Sequence, residues 1–206
     1  VMYERSDEQP KHRLLQGEAG SGKTVVALRA MLAVVDAGGQ AVLLAPTEVL
    51  AAQHARSIRT LLGPLAEQGL LGGSEHSTTV TLLTGSQSTA VRRQALLEIA
   101  SGQAGIVIGT HALLEDKVTF ADLGLVVIDE QHRFGVEQRA ALTAKAGAGT
   151  RPHVLVMTAT PIPRTVAITV FGDLDVSVLT ELPAGRAAIT THVVPAVEKP
   201  GYMQRT

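Results

Sequence analysis

The sequence is short of the residue types that build disulfides, thiolate metal sites and aromatic cores. It contains no cysteine and no tryptophan, and aromatic residues make up only 2% of its 206 residues. The lack of cysteine excludes disulfides and thiolate zinc sites. No two of the seven histidines are three or four residues apart, which argues against a histidine-based metal site. No uncharged apolar run approaches the length needed to span a bilayer, so we expect a soluble, cytoplasmic protein.

An excess of charge is also lacking. The formal net charge is −1, so no broad basic field is present and any contact with nucleic acid must be local. Hydrophobic residues make up 45% of the chain, which is enough for a sizeable core. Because that core must be built from aliphatic side chains, the composition is typical of buried parallel strands.

Short apolar runs alternate with longer helical patterns along the chain. This alternation predicts an α/β fold with right-handed crossovers, a mainly parallel central sheet and helices on both faces. Residues 63–77 are rich in glycine and are expected to form a surface loop. The predicted strands are Arg13–Gln16, Ala41–Ala45, Val80–Leu83, Gly105–Ile108, Leu125–Ile128 and Val154–Met157, and the predicted helices are Lys23–Asp36, Glu48–Leu62, Thr89–Ala100, Val136–Lys145 and Arg164–Phe171.

The ends of the chain differ from its middle. Residues 1–12 are polar and begin with Val1 rather than methionine, so we expect a remnant of an upstream segment of a longer protein. Residues 13–180 are expected to form one domain. Residues 181–206 are expected to be a linker and the first strand of a truncated second domain, because short strand-like runs surround Pro183 and no full helix follows.

Residues 17–24, GEAGSGKT, fit the pattern G-x-x-x-x-G-K-[ST] between a predicted strand and a predicted helix. Glycine lets backbone amides turn inward around an anion, and the helix N-terminus adds about half a positive charge. Lys23 is expected to reach the β and γ phosphates, and Thr24 to bind Mg²⁺. A glycine-rich turn before a core helix is the plainer alternative. The predicted nucleotide-binding residues are Gly17, Gly20, Ser21, Gly22, Lys23 and Thr24.

A second stretch, LGLVVIDEQHRFGV, ends a buried strand in two adjacent carboxylates. The carboxyl ends of strands are where open α/β sheets bind ligands. Asp129 suits a Mg²⁺ contact through water, and Glu130 can act as general base toward the attacking water. Gln131 and His132 could sense the γ-phosphate by hydrogen bonding. Taken alone, a solvated acidic strand end is the simpler interpretation; the phosphate loop upstream favours the catalytic one.

A third stretch, TATPIPRT at residues 158–165, follows another predicted strand. Short hydroxyl side chains at this place could transmit loss of the γ-phosphate to a distant surface. Spacing alone favours a helix N-cap followed by a proline turn.

Together, GEAGSGKT, APTEVLAAQH, LLTGS, GTHALL, DEQHRFGVEQR and TATPIPRT resemble the motif series of superfamily 2 helicases. Within that superfamily, the sequences of these motifs are most similar to those of the members that remodel branched DNA in recombination and repair. A rival is the transcription-repair coupling translocases, which tend to carry a second acidic residue where Gln131 stands. The resemblance covers about residues 13–195 and implies a RecA-like P-loop domain, the first motor lobe of an ATP- and Mg²⁺-dependent DNA helicase.

The resemblance also implies roles for individual residues. It gives Lys23, Asp129, Glu130, Gln131 and His132 catalytic roles, and it places Thr24 and Asp129 at the metal. For the residues implied to contact DNA, ordinary helix capping is the alternative, since Thr47 opens a predicted helix and Thr110 precedes one. The residues implied to face the DNA backbone or to couple hydrolysis to movement are Pro46, Thr47, Gln53, Thr84, Gly85, Thr110, His111, Thr158 and Thr160.

The resemblance finally implies partners that the sequence does not contain. These are a second RecA-like lobe with an arginine finger, a wedge domain that engages the branch point, and branched duplex DNA. Arg164 belongs to this lobe's own third motif, so we expect the 206 residues alone to be nearly inactive. Two other classes stay open: a P-loop ATPase with a target other than DNA, and an interaction module that keeps the fold without the chemistry.

Overall fold

The computed structural model describes residues 10–66, 78–129, 136–146, 151–160 and 175–180. Four α-helices and seven strands lie in these ranges, and two short 3₁₀ turns span Gly63–Ala66 and His111–Leu114. The helices are α1 (Lys23–Asp36), α2 (Glu48–Leu62), α3 (Thr89–Ala100) and α4 (Val136–Ala144). The strands are β1 (His12–Gly17), β2 (Gln40–Leu44), β3 (Thr79–Leu83), β4 (Ala104–Gly109), β5 (Leu123–Asp129), β6 (His153–Thr158) and β7 (Asp175–Leu179).

The seven described strands form one sheet in the order β3-β4-β2-β5-β6-β1-β7. Every pairing between them is parallel. Parallel strands must be joined by crossovers that cover the faces of the sheet, which explains why four of the strands are buried almost throughout. The predicted α/β class with a parallel central sheet is confirmed.

Side chains alternate between the two faces of the sheet and build two separate apolar clusters. One face packs against α1 and α2 through Met31 and Ile58, among others. The opposite face packs against α3, the 3₁₀ turn after β4 and α4, with Ile99, Leu113 and Leu142 in the core. Helices therefore cover both faces, as the sequence predicts.

Most differences from the predicted elements are small. The six predicted strands are present with ends shifted by one or two residues, and the first three helices have the predicted bounds. Part of the predicted surface loop, Gly63–Ala66, forms a 3₁₀ turn. The predicted helix Arg164–Phe171 lies outside the described residues, as do residues 181–206 and residues 1–9.

One strand was not assigned to the sheet from the sequence. Asp175–Leu179 pairs in parallel with β1 and is the outermost strand on that side of the sheet, with Gly17 opposite Leu179. The Arg13 guanidinium contacts the Asp175 carboxylate at 3.3 Å across this pair. Strand β7 thus brings residues 175–179 into the domain that carries the glycine loop.

Among the described helices, none combines the length and the apolar character that a membrane span requires.

Candidate nucleotide site and nucleic-acid interface

The strand order divides the predicted site residues into two groups along one edge of the sheet, the edge at which the parallel strands have their carboxyl ends. Strands β5, β6 and β1 are neighbours, with Asp129 opposite Met157 and Thr158 opposite Gln16. All three are parallel, so their carboxyl ends meet at the same edge. The glycine loop after β1 therefore lies two strands from Asp129, a separation of about 10 Å at ordinary strand spacing.

The glycine loop has the geometry of an anion cradle. Gly20 and Gly22 take left-handed conformations with φ of 84° and 89°, which side chains disfavour. Gly22 is the N-cap of α1, and because glycine has no side chain, no side-chain cap bonds the first amides of α1. A Cβ atom at Gly17 would lie 2.5 Å from Ser21 Oγ and 3.0 Å from the Leu179 side chain, so glycine is required there too.

The polar groups of the loop converge in the same place. The Lys23 ammonium donates to the carbonyl oxygens of Gly17 at 2.5 Å and Glu18 at 2.8 Å, which holds it over the loop. The Ser21 hydroxyl is buried without a hydrogen-bond partner among the described residues. A helix N-terminus without a side-chain cap, an ammonium and a hydroxyl without a partner in the described ranges fit a phosphate chain.

The carboxylate of Asp129 lies on the face of the sheet that carries α1 and α2. Along β5, Leu125 and Val127 belong to the apolar cluster of that face, and Asp129 continues the alternation. The residue is 8% exposed, and its Oδ2 atom is 2.7 Å from Nε2 of His54. Carboxylate and hydroxyl oxygens are ligands that Mg²⁺ accepts, so Asp129 and Thr24, on the same side of the sheet, fit the metal that accompanies a bound nucleotide.

The remaining residues predicted for hydrolysis are only partly described. Glu130, Gln131 and His132 lie outside the described residues. Thr158 ends β6, between the glycine loop and Asp129, and its Oγ1 accepts a hydrogen bond from the Thr160 amide at 3.1 Å. This local bond lies in the bend that leaves the strand. The helix that an N-cap at this place would precede lies outside the described residues.

The second group of predicted residues follows the other three strands of the same edge. Strands β3, β4 and β2 are neighbours, and Leu83 and Leu44 both lie opposite Gly109. The Ala45 amide donates to the Gly109 carbonyl at 2.8 Å, which continues the register past the strands. The residues that follow are therefore side by side: Thr84 and Gly85 after β3, Thr110 and His111 after β4, and Pro46 and Thr47 after β2.

The two threonines for which capping was the alternative differ in the structure. The Thr47 hydroxyl accepts from the Leu50 amide at 3.3 Å and caps α2. The Thr110 hydroxyl makes no such bond, and its Oγ1 is buried without a hydrogen-bond partner in the described part of the chain. Gln53 and His111 are exposed. A buried, unpartnered hydroxyl is costly, so Thr110 calls for an explanation that Thr47 does not.

Glu48 links two of these loops, a role that the sequence did not indicate. Its carboxylate accepts hydrogen bonds from the hydroxyl of Ser86 and, at 2.9 Å, from the Ser86 amide. These two bonds hold the pKa of Glu48 below its usual value, with smaller contributions from the Gly85 amide and the charge of His111. The first turn of α2 is thereby fastened to the loop after β3.

We expect Glu48→Gln to destabilise the protein at neutral pH and to have a smaller effect in acid. The folded pKa of Glu48 is below the usual 4.5, so its bonds to Ser86 contribute above that pH and are lost as the pH falls through the folded value. Urea unfolding of both proteins at neutral pH and about one unit below 4.5 measures this. Asp116→Asn, at an exposed carboxylate, is the control; a gap between Glu48→Gln and the parent that does not narrow in acid would contradict the assignment.

The parallel sheet, the glycine loop and Asp129 at the shared edge define a P-loop nucleotide-binding domain. Residues 5–169, most of the chain, match the DEAD/DEAH box helicase family. The chain belongs to that family.

Curated relatives show which members of the helicase family this chain is similar to. The protein named ATP-dependent DNA helicase RecG from Mycobacterium tuberculosis H37Rv is 65% identical over 197 residues, 96% of this chain and 27% of the relative. The Synechocystis protein of the same name is 50% identical over 200 residues, 97% of this chain and 22% of the relative. The chain thus spans about a quarter of the length of these relatives. The resemblance predicted from the motifs is confirmed.

Solved structures agree with the sequence relatives. A structure of RecG bound to a three-way DNA junction is 38% identical with a TM-score of 0.75, covering 98% of this chain and 25% of that one. The yeast DEAD-box splicing factor Prp28 is 18% identical with a TM-score of 0.64, covering 84% of this chain and 43% of that one, which shows the fold alone. The predicted RecA-like fold is confirmed.

Proposed function

We propose that the chain is the ATP-binding first motor lobe of a helicase that remodels branched DNA such as forks and Holliday junctions. The observation that carries the proposal is the division of one sheet edge between the glycine loop with Asp129 and a row of three loops after β3, β4 and β2. The similarity to RecG over 96% of the chain supports branched DNA as the substrate class. A cytoplasmic location, where DNA is found in bacteria, is part of the proposal.

The nucleotide half of the edge binds and positions the phosphates. The amides at the start of α1 and the Lys23 ammonium bind the phosphate oxygens, and so does the Ser21 hydroxyl of the same loop, which no described residue bonds. Thr24 and Asp129 hold Mg²⁺, which neutralises phosphate charge when bound. We assign Glu130 as general base and Gln131 and His132 as sensors of the nucleotide by their place in the motif after Asp129.

The other half of the edge contacts the DNA backbone. Hydroxyls, backbone amides and helix N-termini bind phosphates without needing a basic surface, so a chain of net charge −1 can make these contacts. The unpartnered Thr110 hydroxyl and the exposed His111 lie in the centre of the row, since β4 is flanked by β3 and β2. Thr158, at the end of the strand between the nucleotide loop and Asp129, and Thr160, two residues beyond it, couple the two halves.

The proposal includes an arrangement of domains. Residues 13–180 form the lobe, with the described strand β1 beginning one residue earlier at His12, and residues 181–206 lead to a second RecA-like lobe. That lobe supplies the arginine finger, and a wedge domain elsewhere in the longer protein engages the branch. The share of the relatives that this chain covers, about a quarter, leaves room for both. Closure of the cleft between lobes moves the protein along the duplex.

We expect ATP turnover by the full-length protein to rise more with forked DNA than with linear duplex of the same length. The 206-residue chain alone should be slower by about 10³–10⁵-fold, because a missing arginine finger costs that much in related phosphoryl-transfer sites. A coupled assay of ADP release measures both, with circular dichroism as the check that the short chain is folded. Fast DNA-stimulated turnover by the short chain, or equal stimulation by both DNAs, would contradict the proposal.

A further inference from the structure

His54 joins the helix of the DNA-facing half to the carboxylate of the nucleotide half. It lies on α2, one residue beyond Gln53, and its Nε2 is 2.7 Å from Oδ2 of Asp129, a residue 75 positions away in the sequence. Both side chains are well covered, at 14% and 11% exposed. A close polar contact with so little access to water is held in one geometry by its surroundings.

The chemistry of the two side chains shows which is the donor and which is the acceptor of this hydrogen bond. A carboxylate that binds a cation is an acceptor only, so the hydrogen in the contact belongs to Nε2, and His54 donates it. One carboxylate oxygen is thereby occupied and the ring fixes the rotation of the whole group. Carboxylates that bind metals are commonly oriented by such hydrogen bonds, whose loss costs about 10- to 100-fold in metal affinity or activity.

The elements around the pair explain why α2 can reach Asp129. Strand β2 leads into α2 through Thr47 and is the sheet neighbour of β5, with Leu44 opposite Ile128. The buried side chains of α2, including Ala51 and Ala55, pack on the face that carries Asp129. Ala51 and Ala55 flank His54 on the inner side of the helix, and both are small enough to bring α2 close to the sheet.

We propose that His54 is a positioning residue for Asp129 that sets the Mg²⁺ affinity of the nucleotide site; this rests on the proposed function. The ring acts through the carboxylate and touches neither nucleotide nor DNA. Because the same helix begins at the DNA-facing row, the position of α2 and the orientation of Asp129 are linked by one hydrogen bond. The role is one of geometry, so a side chain that presents an N–H at the same place should replace the imidazole.

The test measures binding of the fluorescent nucleotide mant-ADP to the full-length protein while Mg²⁺ is titrated. We expect His54→Ala to raise the Mg²⁺ concentration for half-maximal binding by about 10-fold or more. Its affinity for mant-ADP in EDTA should be unchanged, because the phosphate loop is intact. His54→Gln, whose amide can donate from a similar distance, should restore most of the Mg²⁺ affinity. Ser57→Ala, at an exposed position of the same helix, should behave as the parent.

Two results would overturn the proposal. An unchanged Mg²⁺ titration for His54→Ala would show that Asp129 needs no help, and an equal loss with and without Mg²⁺ would show a structural role in packing α2. Lys23→Ala separates this proposal from the proposed function. If Lys23→Ala loses nucleotide binding while His54→Ala is like the parent, only the role of His54 fails; if Lys23→Ala also binds normally, the nucleotide site itself is wrong.

Discussion

Lys23→Ala in the full-length protein should lower ATP turnover by roughly 10²–10³-fold, the usual cost of removing one preorganised charge-stabilising donor. The Lys23 ammonium is held over the glycine loop by two carbonyl oxygens, at 2.5 and 2.8 Å, where a phosphate chain would offer stronger acceptors. An alanine removes the only side-chain cation of the eight-residue motif. Turnover under saturating forked DNA measures the effect, and mant-ADP binding shows how much of it is lost affinity.

The matched control is Lys117→Ala. Lys117 is 55% exposed and contacts Glu115 at 3.0 Å, away from the glycine loop, so its loss should leave turnover within about twofold because exposed ion pairs contribute little. Lys23→Ala releases the carbonyl of exposed Glu18, which can bond water, and the carbonyl of buried Gly17, so its thermal unfolding midpoint should fall only a little below that of the parent. Full activity of Lys23→Ala would remove the basis for a phosphate-binding loop.

Gln40→Leu should cost about 3–5 kcal/mol of the free energy of unfolding, through loss of a buried hydrogen-bond network. The side-chain amide nitrogen of Gln40 donates to the carbonyls of Ile99 and Ala104, at 3.0 and 2.8 Å. Its oxygen accepts from the amides of Ala121 and Asp122, at 2.7 and 3.1 Å. Leucine fills similar space but leaves four backbone groups without these bonds at a residue that is 2% exposed.

Urea unfolding of the 206-residue chain, with the slope held common to both proteins, measures this loss. The control is Gln94→Leu, an exposed glutamine of α3 whose amide bonds Glu98 within one helical turn, and we expect a change of at most about 0.5 kcal/mol. A loss below about 1 kcal/mol for Gln40→Leu would mean that water or local shifts satisfy the four backbone groups. The network joins the start of β2 to the connection between α3 and β4 and to the residues that precede β5.

The sequence alone determined the features that depend on neighbouring residues. The motif GEAGSGKT lies within eight positions, so its loop and the helix after it follow from local rules on glycine and on helix N-termini. The bounds of α1, α2 and α3 were predictable because apolar periodicity and caps such as Thr47 and Ser88 are local signals. The α/β class followed from the alternation of strand and helix patterns.

The tertiary structure decided which distant residues meet. Alternation of elements does not specify strand order, so the sequence could not place β6 between β1 and β5 or add β7 beside β1. Glu48 with Ser86 and His54 with Asp129 join residues 38 and 75 positions apart, and Gln40 bonds residues up to 82 away. No local signal distinguishes His54 from the chain's other histidines, or buried Gln40 from exposed Gln94. A side-chain hydrogen bond spans only about 3 Å, so residues far apart in the sequence can form one only where the fold brings them together. Such pairs therefore form only once the crossover connections have put the strands in order.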